Sequence, residues 1–348
     1  MMRKILPLRI THHTIRLLIF LFLVISVLIG CKVEPVETAV KPIPTLVATA
    51  VPPTLTVSPP TVEIIRSATP TATQIPVSTA IQSPTVTQPP TATQPPTVTP
   101  CNQPGRIEHG IFPSAIAGDL SYRIYLPPCY EENGNIYPTL YLLAGNTYTD
   151  AIWDQVGLDE AAEIGIQNGD LPPMLIVMPY SGETALYTSG GPGSYETVIL
   201  EDLTSYIEAN YCVDAEPAYR ALGGLSRGGY WALEIAFRHP DAFISVGGHS
   251  AALLDEYAKP DVNPQYTALA NDLGDLRIYL DIGADDWVRE NILQLHADME
   301  TAVIPHTWVL NEGLHEEAYW EQHVAEYLTW YSEPWSKERL DYPLCPPK

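Results

Sequence analysis

The sequence predicts an α/β domain with a mostly parallel central sheet covered by helices. Three observations predict it. Short apolar runs rich in Ile, Val, Leu and Tyr recur after residue 120, as strands covered on both faces require. Segments with helical spacing separate them, and strands alternating with helices argue parallel pairing. From Cys101 onward about 250 residues mix apolar, charged, Gly and aromatic side chains, enough to bury one such sheet.

The expected strands are 122–126, 139–143, 174–178, 219–223, 244–247, 277–282 and 306–310, and the expected helices are 195–211, 228–238, 287–302 and 316–331. In 287–302, Val288, Ile292, Leu295 and Met299 recur at helical spacing and predict a core-facing stripe.

Two unlike segments precede this domain. Residues 1–30 place Arg3, Lys4, Arg9 and Arg16 before an apolar run over 17–29, too short for a comfortable membrane span. The run ends in Leu28-Ile29-Gly30-Cys31, which resembles a bacterial lipobox, so 1–30 reads as a lipoprotein signal peptide and Cys31 as the lipidated residue. The alternative is an uncleaved N-terminal anchor; on either reading the rest is exported. Residues 31–100 repeat fragments such as Pro-Thr-Ala-Thr-Gln and Gln-Pro-Pro-Thr. Few of these residues could bury a side chain and proline removes backbone donors, which predicts a disordered, polyproline-II-rich stalk open to O-glycosylation. At about 3.1 Å per residue its contour approaches roughly 200 Å. The predicted location is therefore extracytoplasmic and membrane-anchored, with residues 101–348 as the working domain.

Charge narrows the partners. The chain carries 18 basic and 41 acidic side chains, a net −23; removing the seven basic and three acidic ones of residues 1–100 leaves 11 against 38, a net −27. Such a domain offers no basic footprint for phosphates, so a nucleic acid partner is not expected. Solubility is the plain reading of the acidity, and a monomer is expected.

Export also governs the cysteines. Cys101, Cys129, Cys212 and Cys345 form an even set, which predicts two disulfides in an oxidising compartment. No two lie within four residues of each other and none joins a Cys/His cluster, so metal-ligand spacing is absent. Of the three connectivities, one containing Cys101–Cys345 is expected, tying the domain ends.

The chemistry centres on Gly224-Leu225-Ser226-Arg227-Gly228, a G-x-S-x-G between an apolar strand and a helix. The turn is tight enough to demand glycines beside the serine. The serine then projects at the helix N-terminus, where N–H groups and the helix dipole favour an oxyanion. A serine nucleophile needs a base held by an acid, and in strand–elbow–helix hydrolases both follow it in chain order. Of the later histidines, His249 comes too early to leave room for an acid, and His296 and His323 fall within helices. His306 opens a strand. His315 lies between the last strand and the last helix and is the candidate base. The acid should follow the strand 277–282, where Asp286 is the first choice and Asp285 the second; Asp281, inside the strand, reads as structural. The oxyanion donors expected are the N–H groups of Arg227 and Asn146, the latter in the loop after 139–143.

These residues resemble the esterase family of α/β-hydrolases that includes feruloyl and acetylxylan esterases, enterochelin esterase, S-formylglutathione hydrolase and the mycolyltransferases. The likeness rests on Tyr137-Pro138-Thr139-Leu140-Tyr141-Leu142-Leu143 with Gly145 and Trp153, on Gly223 through Gly229, on Gly283-Ala284-Asp285-Asp286-Trp287, and on Gly313-Leu314-His315 with Trp320. It covers about residues 106–331 and implies the α/β-hydrolase fold. It also implies that the strands at Thr139 and Tyr219 are neighbours, which is the basis for expecting a Cys129–Cys212 disulfide. One departure stands out: Ala144 occupies the place the esterase members usually give to histidine, which leaves the bracing of the oxyanion loop open.

The resemblance implies a serine carboxylic-ester hydrolase working through an acyl-enzyme with no metal or organic cofactor, on extracellular esters such as acylated polysaccharide. Acyl transfer to an alcohol, as in the mycolyltransferases, would use the same residues. A non-catalytic surface binding module and a stalked structural lipoprotein are the readings from other classes; both leave the aligned serine, aspartate and histidine unexplained. Tyr187, Tyr195, Tyr257 and Trp287 are candidates to line the pocket.

Overall fold

The computed structural model describes residues 102–254 and 258–346. The signal peptide, the stalk, Cys31, Cys101 and Tyr257 lie outside the described residues.

The apolar runs become eight strands: β1 Arg106–Ser114, β2 Gly118–Leu126, β3 Thr139–Leu143, β4 Leu175–Pro179, β5 Arg220–Leu225, β6 Ser245–His249, β7 Arg277–Gly283 and β8 Thr307–Asn311. They form one sheet in the order β1-β2-β4-β3-β5-β6-β7-β8. The β1–β2 and β2–β4 pairs are antiparallel and the rest are parallel. The expected neighbours at Thr139 and Tyr219 are β3 and β5, paired in parallel with Thr139 opposite Arg220.

Helices cover both faces: α1 Leu158–Asn168, α2 Arg227–Arg238, α3 Pro264–Ala270, α4 Arg289–Thr301 and α5 Glu317–Ser332. Residues 195–210 are helical throughout, with Val198–Leu203 in π geometry. Alternation along β3 divides the core. Tyr141 and Leu143 join Trp231, Ile235 and Phe237 of α2 on one face, while Leu140 and Leu142 join Trp320, Tyr327 and Tyr331 of α5 on the other. The stripe Val288, Ile292, Leu295 and Met299 is buried as expected, although α4 begins only at Arg289.

Three of the elements named above go beyond the sequence expectation. Strand β1 is largely half-exposed, so its apolar signal is weak. It reverses into β2 through a turn in which Ser114 Oγ accepts from the amides of Ile116 and Ala117 at 3.1 and 3.0 Å. Helix α1 has no side-chain cap and is bounded by Gly157 and Gly169, both left-handed. Helix α3 lies outside the expected helices, although its start signal stands in the sequence: Asn263 Oδ1 accepts from Gln265 N at 3.0 Å, with Pro264 at the first helical position.

The disulfide expectation is corrected. Cys212 is bonded to Cys345, with the Cα atoms 5.7 Å apart. That bond excludes both Cys101–Cys345 and Cys129–Cys212. Cys129 is itself disulfide-bonded. The C-terminal segment runs beside the residues that lead into β3, where Asn135 Nδ2 donates to Tyr342 O at 2.7 Å and Ile136 N to Pro343 O at 2.8 Å, which carries Cys345 to Cys212.

Candidate active site

Strand β5 leads into Ser226 and α2 leads out. Ser226 adopts φ 56° and ψ −120°, a strained conformation for a residue with a side chain. A Cβ at Gly224 would meet the Gly228 carbonyl, and one at Gly228 would meet the Leu143 carbonyl, both inside the 3.0 Å that real Cβ atoms keep. The two glycines of the motif are therefore steric requirements of the turn. The backbone of Ser226 is held on both sides: its N–H donates to His249 O at 2.9 Å, and its carbonyl accepts from Tyr230 N at 3.1 Å and Ala252 N at 3.0 Å.

Two loops from the C-terminal ends of β7 and β8 complete the cluster. His315 Nε2 lies 2.8 Å from Ser226 Oγ. His315 Nδ1 lies 2.9 Å from Asp286 Oδ2 and 3.1 Å from Oδ1. A carboxylate only accepts, so Nδ1 carries the proton and Nε2 of the neutral ring is free to accept from the serine. Asp286 is buried and takes a further bond from Val288 N at 2.9 Å, whereas Asp285 is exposed. The arrangement thus separates the two candidate acids. The imidazole is flanked edge-on by Trp287 and Trp320, each with ring centroids 5.3 Å from it. Such a chain can lift a proton from the hydroxyl as the oxygen attacks an electrophile.

The histidines set aside are occupied elsewhere. His296 contacts His306 at 2.8 Å and His323 contacts Glu326 at 3.3 Å. His249 and Asp281 form a buried pair behind the elbow, with Nδ1 2.7 Å from Oδ1. Asp281 Oδ2 also accepts from Tyr319 at 2.7 Å and Tyr327 at 2.8 Å, and His249 Nε2 accepts from Tyr331 at 2.9 Å. Burial first, then the Asp281 carboxylate, push Tyr327 and Tyr331 well above the ordinary phenol range, so both remain donors. Asp281 is structural, as its place within a strand suggests, and the network holds β6 beside the elbow.

Arg227 is the first residue of α2, directly after Ser226, and Asn146 lies in the loop after β3. A Cβ on Gly145, the residue before Asn146, would stand 3.0 Å from Ser226 Cβ, so this loop abuts the turn at Ser226. Its bracing without a histidine at position 144 is visible. Ser181 Oγ donates to Ala144 O at 3.1 Å, and Trp153 Nε1 donates to Leu143 O at 3.2 Å. Farther along, Tyr148 donates to Glu317 Oε1 at 2.7 Å and meets Trp320 edge-on at 6.0 Å. The Ser181 and Glu317 contacts escaped the sequence reading, since neither residue belongs to a motif. A cleft lined by Gly145, Asn146, Tyr148, Tyr180, Ser181 and Leu186 opens here. Of the aromatics expected at a pocket, Trp287 and Tyr187 are exposed, but Tyr195 is fully buried against Trp231 at 5.4 Å, out of reach of solvent.

A family model described as "Putative esterase" matches residues 114–331, most of the chain. The chain belongs to this esterase family. Among curated relatives, Esterase Rv1288 of Mycobacterium tuberculosis (strain H37Rv) is 34% identical over 144 residues, 39% of this chain and 30% of that protein. The diacylglycerol acyltransferase/mycolyltransferase Ag85B of Mycobacterium leprae is 33% identical over 171 residues, 45% of this chain and 47% of the relative. This chain therefore spans less than half the length of these two relatives. A solved ferulic acid esterase superposes with a TM-score of 0.62 at 24% identity, covering 67% of this chain and 100% of that one, which establishes the shared α/β-hydrolase fold.

Proposed function

We propose that this chain is a serine carboxylic-ester hydrolase in which Ser226 is the nucleophile, His315 the general base and Asp286 the acid that fixes the imidazole. The observation that carries the reading is the unbroken hydrogen-bonded chain from Ser226 Oγ through His315 to Asp286. Ser226 Oγ attacks the ester carbonyl while its proton passes to His315 Nε2, and the imidazolium so formed lies against the buried Asp286 carboxylate. The N–H groups of Arg227 and Asn146 receive the oxyanion, each such donor contributing about 2.7–4 kcal/mol. His315 then gives its proton to the leaving alcohol. Water, deprotonated by the same histidine, attacks the acyl-enzyme and releases the acid.

The same proposal places the enzyme outside the cytoplasm, held by lipid on Cys31 at the end of the 31–100 stalk. The basic-then-apolar leader supports export, as does the Cys212–Cys345 disulfide, a bond that persists in oxidising compartments. Extracellular esters, acylated polysaccharide among them, are the substrate class that fits a domain held at a distance from its membrane.

Hydrolysis of short-chain p-nitrophenyl esters by the purified chain, beside Ser226→Ala, tests the reading. A burst followed by turnover, both abolished in a folded Ser226→Ala, is expected; equal activity in the two proteins would refute it. The likeness to a mycolyltransferase favours a second reading, in which an alcohol rather than water resolves the acyl-enzyme. Ester products formed when sugar acceptors are added would select it.

A further inference from the structure

At the C-terminal end of α4 and the start of β8, two imidazoles and a carboxylate come together that the proposed reaction does not use. His296 and Glu300 are four residues apart on α4 and so share a face. His306 arrives from the other side of a tight turn in which Val303 is left-handed (φ 58°) and Ile304 N donates to Met299 O at 2.9 Å. One ligand atom from each of the three lies within 4.8 Å of the others.

The two rings are oriented by contacts outside the cluster. His306 Nδ1 lies 2.8 Å from Ile304 O, and a carbonyl only accepts, so this nitrogen carries the proton. Its Nε2 is therefore the unprotonated nitrogen of the neutral ring, and it faces His296 Nδ1 at 2.8 Å. His296 is stacked flat on Trp308, with centroids 4.3 Å apart and 7° between planes. A histidine that donates one N–H to a backbone carbonyl while aiming the other nitrogen at a shared point has the arrangement that orients metal-binding imidazoles.

We propose that His296 Nδ1, His306 Nε2 and a Glu300 carboxylate oxygen bind a zinc-type divalent cation, with water completing a tetrahedron. Imidazole and carboxylate suit zinc, whereas calcium and magnesium favour all-oxygen sites. Ligand nitrogens about 2.0–2.1 Å from a tetrahedral zinc stand roughly 3.3 Å apart, so the imidazoles need part by only about half an ångström. The His296 proton moves to Nε2 as Nδ1 takes the metal. The exposed Glu300 side chain is free to swing onto the ion. The site sits at the opposite end of β8 from the loop bearing His315, so the ion is a structural clip and not part of the ester chemistry. It would tie β8, the sheet's edge strand, to α4.

The test is a zinc titration of the chelator-stripped full chain against a competing zinc dye, with thermal unfolding followed alongside. The wild-type chain should bind zinc and gain several degrees in Tm in excess metal. His296→Gln with His306→Gln should remove that zinc equivalent and the Tm gain. Glu300→Gln alters only an exposed side chain and so retains the fold; its zinc affinity should fall at least tenfold, and its Tm gain should shrink. No zinc-dependent Tm rise in the wild-type chain would overturn the proposal. So would an affinity and a Tm rise in Glu300→Gln and in a folded double variant that match the wild type.

Discussion

Gly283 and Gly313 meet backbone to backbone, so close that a Cβ on Gly283 would fall inside contact distance of the Gly313 carbonyl. Around this contact the two loops are zipped together, Ala284 N donating to Asn311 O at 2.7 Å and Asp285 N to Gly313 O at 3.0 Å. Asp286 and His315 inherit their register from this seam. Gly283→Ala should force the loops apart, costing about 1–3 kcal/mol of stability as overpacking does. Its kcat should fall at least tenfold with KM little changed, read by steady-state kinetics and thermal melts. Wild-type kcat in a folded variant would show that the seam does not set the geometry.

The neighbouring aspartates should behave oppositely. Asp286→Asn keeps the shape but loses control of the tautomer, and kcat should drop roughly a thousand- to ten-thousandfold. Asp285→Asn changes an exposed side chain and should leave kcat within about twofold. Comparable losses in both would put the acid elsewhere.

Ser181 takes the bracing position left open by Ala144. Removing a hydrogen bond of this kind costs about 0.5–1.5 kcal/mol. If that cost falls on the oxyanion loop, kcat/KM of Ser181→Ala should decline about three- to tenfold. The burst amplitude should persist, because Ser226 and His315 are untouched. An unchanged kcat/KM would mean that Trp153 alone suffices.

Glu234, buried in α2, supplies a pH signature. Burial, then the nearby Glu196 carboxylate, push it well above the usual glutamate range, and Arg238 only partly offsets this. Because the folded-state value is the higher one, its contribution is fully present below the unfolded glutamate pKa and is lost as pH rises through the folded value. Glu234→Gln cannot ionise. Its Tm should exceed that of the wild type at pH 8 and converge with it near pH 4. A variant less stable than the wild type at pH 8 would mean that the ionised form is needed to hold Arg238.

The Cys212–Cys345 bond spans 133 residues of sequence. Cys345→Ser should lower stability by about 2–5 kcal/mol, as loss of a native disulfide does in small secreted domains. Peptide mapping without reduction should recover the segments around Cys212 and Cys345 joined. Recovery of Cys345 joined to any other cysteine would contradict this fold.

Much of this was legible because it is local. The strand–Gly-x-Ser-x-Gly–helix succession needs only neighbours in sequence to be read. The place of His315, between the last strand and the last helix, follows from chain order. Strand β1 and helix α1 were not legible: one has a half-exposed pattern and the other lacks a side-chain cap. Helix α3 carries a local start signal in Asn263-Pro264 but only a short stretch of helix behind it, Pro264–Ala270.

The sequence by itself determined the fold class and the identity of the serine and histidine candidates, because apolar periodicity, glycine-dependent turns and chain order are read locally; the family came from the resemblance of those motifs. Tertiary structure decided which aspartate faces His315, which cysteines pair, how Ser181 supports the loop at Ala144, and that His296, Glu300 and His306 meet. Each of these depends on where the sheet order carries side chains from distant segments or around a turn, and no local spacing encodes a distance across the sheet.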